Sequence, residues 1–124
     1  MSRLLTSAAA IVLALHGVVH LLGTAVYLEL AEVAEFPYKT TLLGGSVDIG
    51  VAGTRAFGVF WALAALGFVA AAGALLADWA HWKLLLVGVT VFSLVLTALD
   101  YPVAYAGVVV NLGILAAVVV SLRA

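Results

Sequence analysis

The sequence predicts an all-α, integral membrane four-helix bundle with one extracytoplasmic loop between its first two helices, and three observations carry that reading. Apolar residues make up 67% of the chain and charged residues 9%, too little charge to clothe the surface of a soluble domain of this length. The apolar residues fall into four long stretches, and a hydrocarbon core of about 30 Å takes roughly 20 helical residues to cross. The stretches are continuously apolar and rich in Ala and Leu rather than alternating, which selects helices over barrel strands. Residues 1–124 then form a single transmembrane domain with no room for a soluble catalytic module.

The first span, about residues 4–28, holds Leu15-His16-Gly17-Val18-Val19-His20-Leu21-Leu22-Gly23. A cleaved leader is the other reading, since Arg3 precedes the run and Ala31 and Ala34 offer small residues, but the run is long and has histidines at its centre. Residues 29–54 mix acids with Pro37, Gly44, Gly45, Gly50 and Gly53. This loop is expected to fold back on the bundle, with a short amphipathic or re-entrant piece and Asp48 paired with Arg55. The second span, 55–77, carries Ala64, Ala65, Ala70, Ala71, Ala72 and Gly73, small residues that let helices approach closely and make it the central helix. The third runs over 82–99. The fourth, 102–122, opens at Pro102, where a missing N–H costs least.

Arg3, Lys83 and Arg123 fall on one side of this layout, and Lys39 and Arg55 on the other with Glu29, Glu32, Glu35, Asp48 and Asp100. The basic majority places both termini in the cytoplasm. Trp61 at one interface, and Trp79 and Trp82 at the other, read as aromatic belts, and His81 as a headgroup-level residue.

Ionisable groups inside a membrane are costly and face a bundle interior or a cavity. Helical spacing puts His16, His20, Gly23, Thr24 and Tyr27 near one face of the first span. The third answers with Thr90, Ser93, Thr97 and Asp100, and the fourth with Tyr101, Tyr105 and Asn111. At about 1.5 Å per residue, His20, Thr90 and Asn111 reach similar depth, so a polar layer is expected there. Its bland role is a set of interhelical hydrogen bonds; its sharper roles are proton, ligand or metal contact.

With no cysteine, disulfides, thiolate metal sites and cysteine nucleophiles are excluded. A net charge of −1 without a basic run leaves no footprint for nucleic acid. His16 and His20 are weak metal candidates, because a zinc or copper site wants further ligands and the nearest carboxylate, Asp100, is expected near the surface. They share a helix face and do not clamp one haem from both sides, which leaves a singly ligated haem or a quinone beside His20. No serine elbow, phosphate loop or metalloprotease motif occurs. Four short spans offer little wall for alternating access within one chain.

Several motifs together carry a family resemblance: Leu15-His16-Gly17 through His20-Leu21-Leu22-Gly23, Phe36-Pro37-Tyr38-Lys39-Thr40-Thr41, Gly45-Ser46-Val47-Asp48-Ile49-Gly50, Gly53-Thr54-Arg55, and Pro102 with Gly107 and Asn111-Leu112. The chain resembles a family of small four-span proteins of the bacterial inner membrane, some of which carry an automatic ABC permease label. It shows no coupling-helix signature and fewer spans than a permease half. In outline it is also similar to DoxX-like four-helix proteins, a fold-level analogy that transfers no catalytic residue. The resemblance singles out His16, His20, Asp48, Arg55 and Asn111. The expected function is a non-enzymatic accessory or scaffold component in contact with membrane lipids, as a homo-oligomer or within a membrane-protein complex. The alternatives are a cofactor, quinone or lipid-binding redox-linked protein, and an oligomeric proton or solute channel gated by the histidines.

Overall fold

The structure is a computed structural model and describes residues 2–123. Four helices in it are long and apolar enough to cross a membrane: Arg3–Tyr27, Gly50–Leu76, Trp82–Leu99 and Tyr101–Arg123. The first is divided into α1 (Arg3–Val19) and α2 (Leu21–Tyr27); the others are α3, α4 and α5. Ser2 starts α1 by accepting the Leu5 N–H at 3.1 Å, the usual N-cap bond. Helix α4 has the bounds expected from sequence. Helix α3 begins at Gly50 rather than Arg55, with Ile49 at its N-cap, and the Asp48 carboxylate accepts the Gly50 N–H at 2.9 Å in the turn that leads into it. Asp100 joins α4 to α5: it caps the end of α4, and its carbonyl accepts the N–H groups of Val103 (3.1 Å) and Ala104 (2.9 Å) at the start of α5.

The loop carries no amphipathic or re-entrant helix. Its distal half is a small antiparallel hairpin of β1 (Thr41–Leu42) and β2 (Val47–Asp48), with Thr41 opposite Asp48, around a 3-10 turn at Leu43–Gly45. Gly44 at the tip has φ 68°, a conformation that favours glycine, and a Cβ there would lie 2.6 Å from the Tyr101 hydroxyl, which would have to swing aside.

Helix α3 packs against α1 and α2 on one side and α4 on the other, and α5 lies on α4. Small residues permit this. A Cβ on Gly17 would be 2.8 Å from Phe68 Cβ and 3.0 Å from the Ala65 carbonyl, so α1 and α3 meet nearly backbone to backbone. Ala64, Ala65, Ala71 and Ala72 are buried, whereas Ala70 and Gly73 face outward. Helix α5 contributes a single inward stripe, Ala104, Asn111 and Val118, at seven-residue intervals.

The interior is layered. Near the chain termini lies an apolar cluster of Ala10, Leu13, Phe68, Ala71, Ala72, Leu75, Leu86 and Val118. Toward the loop lies a second, of Val26, Tyr27, Phe57, Trp61, Ala64, Leu96 and Ala104, onto which Val33, Phe36, Leu42 and Ile49 fold from the loop. Buried polar side chains sit between them. The outer faces are studded with exposed Leu and Val, among them Leu15, Leu66, Leu84 and Val109, as expected where hydrocarbon rather than water surrounds a bundle. Trp61 corrects the aromatic-belt assignment, because it is buried in the outer cluster at 4% exposure. Trp79 is exposed and Trp82 half-buried against the inner cluster.

Candidate functional site: a closed polar ring and a latched loop

Between the two apolar layers, α1, α4 and α5 contribute side chains to one hydrogen-bonded ring. His20 Nδ1 lies 2.7 Å from the His16 carbonyl, which only accepts, so Nδ1 donates. A neutral His20 then offers its Nε2 lone pair to the Ser93 hydroxyl at 2.6 Å. The Ser93 oxygen accepts from Asn111 Nδ2 at 2.9 Å, and the same amide nitrogen donates to Thr97 Oγ1 at 3.3 Å. Asn111 Oδ1 accepts from His16 Nε2 at 2.9 Å, which closes the ring. Thr97 sends its own proton to the Ser93 carbonyl at 2.9 Å. With both imidazoles neutral, each donor in this circuit meets an acceptor. Phe68 covers both rings, its centroid 4.7 Å from that of His16 and 5.2 Å from that of His20.

The same circuit accounts for the interruption between α1 and α2. The His20 side chain takes the His16 carbonyl, and the His20 backbone N–H turns to the Gly17 carbonyl at 3.0 Å instead. A side chain inserted into the i→i−4 ladder tightens the helix locally. The break at His20 is therefore a product of the polar ring.

A second cluster lies at the loop end, and the sequence reading placed its residues without joining them. Lys39 Nζ stands 2.6 Å from Asp100 Oδ1 and 2.7 Å from the Tyr27 hydroxyl. Tyr27 donates to Asp100 Oδ2. The Lys39 side chain is 24% exposed and the Asp100 side chain fully buried. Tyr27 is wedged between Phe36 and Phe57, with centroid distances of 5.7 and 5.3 Å. A usable signal was present: Asp100 continues the inward row of Ser93 and Thr97, a buried carboxylate calls for a cation, and Lys39 is the sole basic residue within 29–54.

The other expected residues fall apart. Asp100 lies at the α4–α5 turn, at the loop end of the bundle, and is fully buried within the protein. Asp48 is exposed and bonds the Gly50 N–H, and Arg55 is exposed on α3; the ion pair between Asp48 and Arg55 is not formed, and Lys39–Asp100 is the salt bridge found among the described residues. Thr90 is fully buried, yet its hydroxyl bonds the Leu86 carbonyl of its own helix at 2.6 Å and takes no part in the ring. His81 is exposed beside Trp79, with ring centroids 5.3 Å apart. Among the described residues no three His, Cys, Asp or Glu side chains gather as a metal site. One described buried side-chain atom has no hydrogen-bond partner: Nε1 of Trp61, whose ring lies 5.3 Å from that of His20.

No protein family, curated protein or solved structure matches the chain.

Proposed function

We propose that this chain is a multi-pass protein of the bacterial inner membrane, with both termini cytoplasmic, that serves as a non-enzymatic scaffold or accessory component in a homo-oligomer or membrane complex. The observation that carries the reading is the closed circuit of His16, Asn111, Ser93 and His20, in which the Ser93 hydroxyl, the Asn111 amide and both His20 nitrogens are spent on hydrogen bonds within the protein. Such a ring fixes the rotation and depth of three helices, and leaves its hydroxyl and amide groups no lone task toward a substrate. The apolar layer of Leu13, Phe68, Leu86 and Val118 beneath it interrupts a polar path through one chain, which weighs against a monomeric channel. Protein purified with its native lipids is expected to show aromatic absorbance alone and no stoichiometric quinone on extraction. A chromophore, or one quinone per chain that His20→Ala removes, overturns the scaffold reading. Orientation is testable because the chain lacks cysteine: Ser46→Cys at the loop tip is expected to react with an impermeant thiol reagent in intact cells, and Ser2→Cys only after lysis.

The cofactor or quinone reading stands second, and the Trp61 N–H favours it. A buried donor without an acceptor is rare, and this one lies beside His20. A carbonyl oxygen of a bound molecule would satisfy it. Quinone addition to delipidated protein that shifts Trp61 emission, with no shift in Trp61→Phe, would raise that reading above the first.

A further inference from the structure

The ion pair at the loop end is divided unevenly between framework and strap. Asp100 closes α4 and opens α5, so its position is set by two long helices. Tyr27 ends α2, 1% exposed, with Phe57 of α3 against its ring. These two side chains present a carboxylate oxygen and a phenolic oxygen to one point, 2.6 and 2.7 Å from the Lys39 nitrogen. Lys39 arrives on the non-helical strap that links α2 to β1, beside exposed Pro37 and Tyr38. Lys39 is partly exposed while Asp100 and Tyr27 are covered, so the two oxygens become reachable only when the strap that carries Lys39 moves aside.

The donor and acceptor pattern defines what fits. Asp100 Oδ2 already accepts from Tyr27, so one carboxylate oxygen faces the cation and the bidentate fork a guanidinium prefers is absent. A quaternary ammonium has no N–H for either oxygen. A primary ammonium, with three N–H groups on a compact head, matches both. We propose that Asp100 and Tyr27 form a binding site for a primary alkylammonium group, that Lys39 is its resident occupant, and that the amine of a small molecule takes its place when the strap lifts.

The test is complementation of an emptied site with propylammonium chloride. Lys39→Ala is expected to lower the thermal midpoint, and about 100 mM propylammonium to restore at least half of that loss, through binding to the folded state alone. Sodium chloride and propanol at equal concentration are expected to do neither, and Asp100→Asn in the same chain to abolish the rescue. No rescue beyond the salt control, or equal rescue with Asp100→Asn, overturns the site. A second measurement keeps Lys39 in place and does not depend on the folding of Lys39→Ala. Ala104→Cys lies in the apolar cluster that the strap covers, and Ala72→Cys in the inner cluster. Propylammonium is expected to speed methanethiosulfonate labelling of Ala104→Cys at least about threefold and leave Ala72→Cys unchanged, because it favours the lifted state. An unchanged rate at Ala104→Cys overturns the exchange, and equal acceleration at both thiols marks general loosening and overturns it as well.

Discussion

The two polar clusters of this bundle solve the burial problem in opposite ways. The ring of His16, His20, Ser93 and Asn111 is wired by hydrogen bonds that need no charge, between side chains carried by α1, the α1–α2 junction, α4 and α5. The cluster of Tyr27, Lys39 and Asp100 uses full charges, and its cation comes from a segment without helical structure. A neutral circuit sets helix rotation at low risk, because losing one member strands a dipole. A buried ion pair fastens a loop, but losing one member strands a charge. The loop-end cluster also ties α2 to the α4–α5 junction through Tyr27 and Asp100, but within it only Lys39 fastens the loop, so the difference predicts that loop placement can be released by mutation with the ring left intact.

The largest effect is expected where the charge is stranded. Lys39→Met leaves Asp100 buried beside Tyr27 alone, and breaking a buried pair costs about 3–5 kcal/mol. Adding Asp100→Leu to Lys39→Met is expected to recover most of that, because an apolar pair of similar volume is often neutral or better. Denaturant titration of the singles and the double, followed by tryptophan emission, reads both numbers. If the double is no more stable than Lys39→Met, the cost arises from lost loop packing and not from the unpaired carboxylate.

Gly17 tests the ring without touching the loop cluster. Its missing side chain brings Phe68 against both histidines, and a Cβ would meet Phe68 Cβ at 2.8 Å. Gly17→Val is expected to cost about 1–3 kcal/mol by overpacking and to leave protease sensitivity of the 29–49 strap unaltered. Loss of strap protection in this variant would show that register and loop are one cooperative unit. Replacing Asn111 with Leu comes next. It leaves His16 Nε2 without its acceptor, and interhelical hydrogen bonds in membranes are worth about 1–2 kcal/mol at most. Equal stability of Asn111→Leu and the parent chain would remove the ring from the account of folding.

How much of this was legible depended on the range of the interaction. The helices follow from local composition, and α4 ended where its apolar run ended. His20 and Asn111 were placed at one depth because helical period and rise are readable from sequence, but Thr90 was set beside them where Ser93, three residues on in the same row, makes the bonds. The pair of Lys39 with Asp100 was not legible, since 61 residues separate them and loop paths are set by tertiary contacts. Asp48 and Arg55 looked like partners through proximity in sequence, yet a short side chain beside a helix start is better used on the free Gly50 N–H. Trp61 was misplaced because indole suits both an interface and a core, and it took Gly23 to decide: a Cβ there would lie 2.6 Å from Trp61 Cδ2, so the ring fills the space glycine leaves.

Thr90 gives the finest test of the comparison, because it matches Ser93 in burial and differs only in wiring. Both are fully buried on α4. Ser93 links two other helices, whereas Thr90 donates to the Leu86 carbonyl on its own helix. That carbonyl keeps its backbone partner when the hydroxyl is removed, and back-bonding of this kind adds little to helix stability. Thr90→Val is therefore expected to change stability by less than about 0.5 kcal/mol, while Ser93→Ala, which strands His20 Nε2 and an Asn111 proton, costs about 1 kcal/mol or more. Denaturation curves of the two variants in the same micelle make the comparison direct. If they fall together, a buried hydroxyl matters here for its polarity alone, and the ring carries no register information beyond that of any polar residue in the layer.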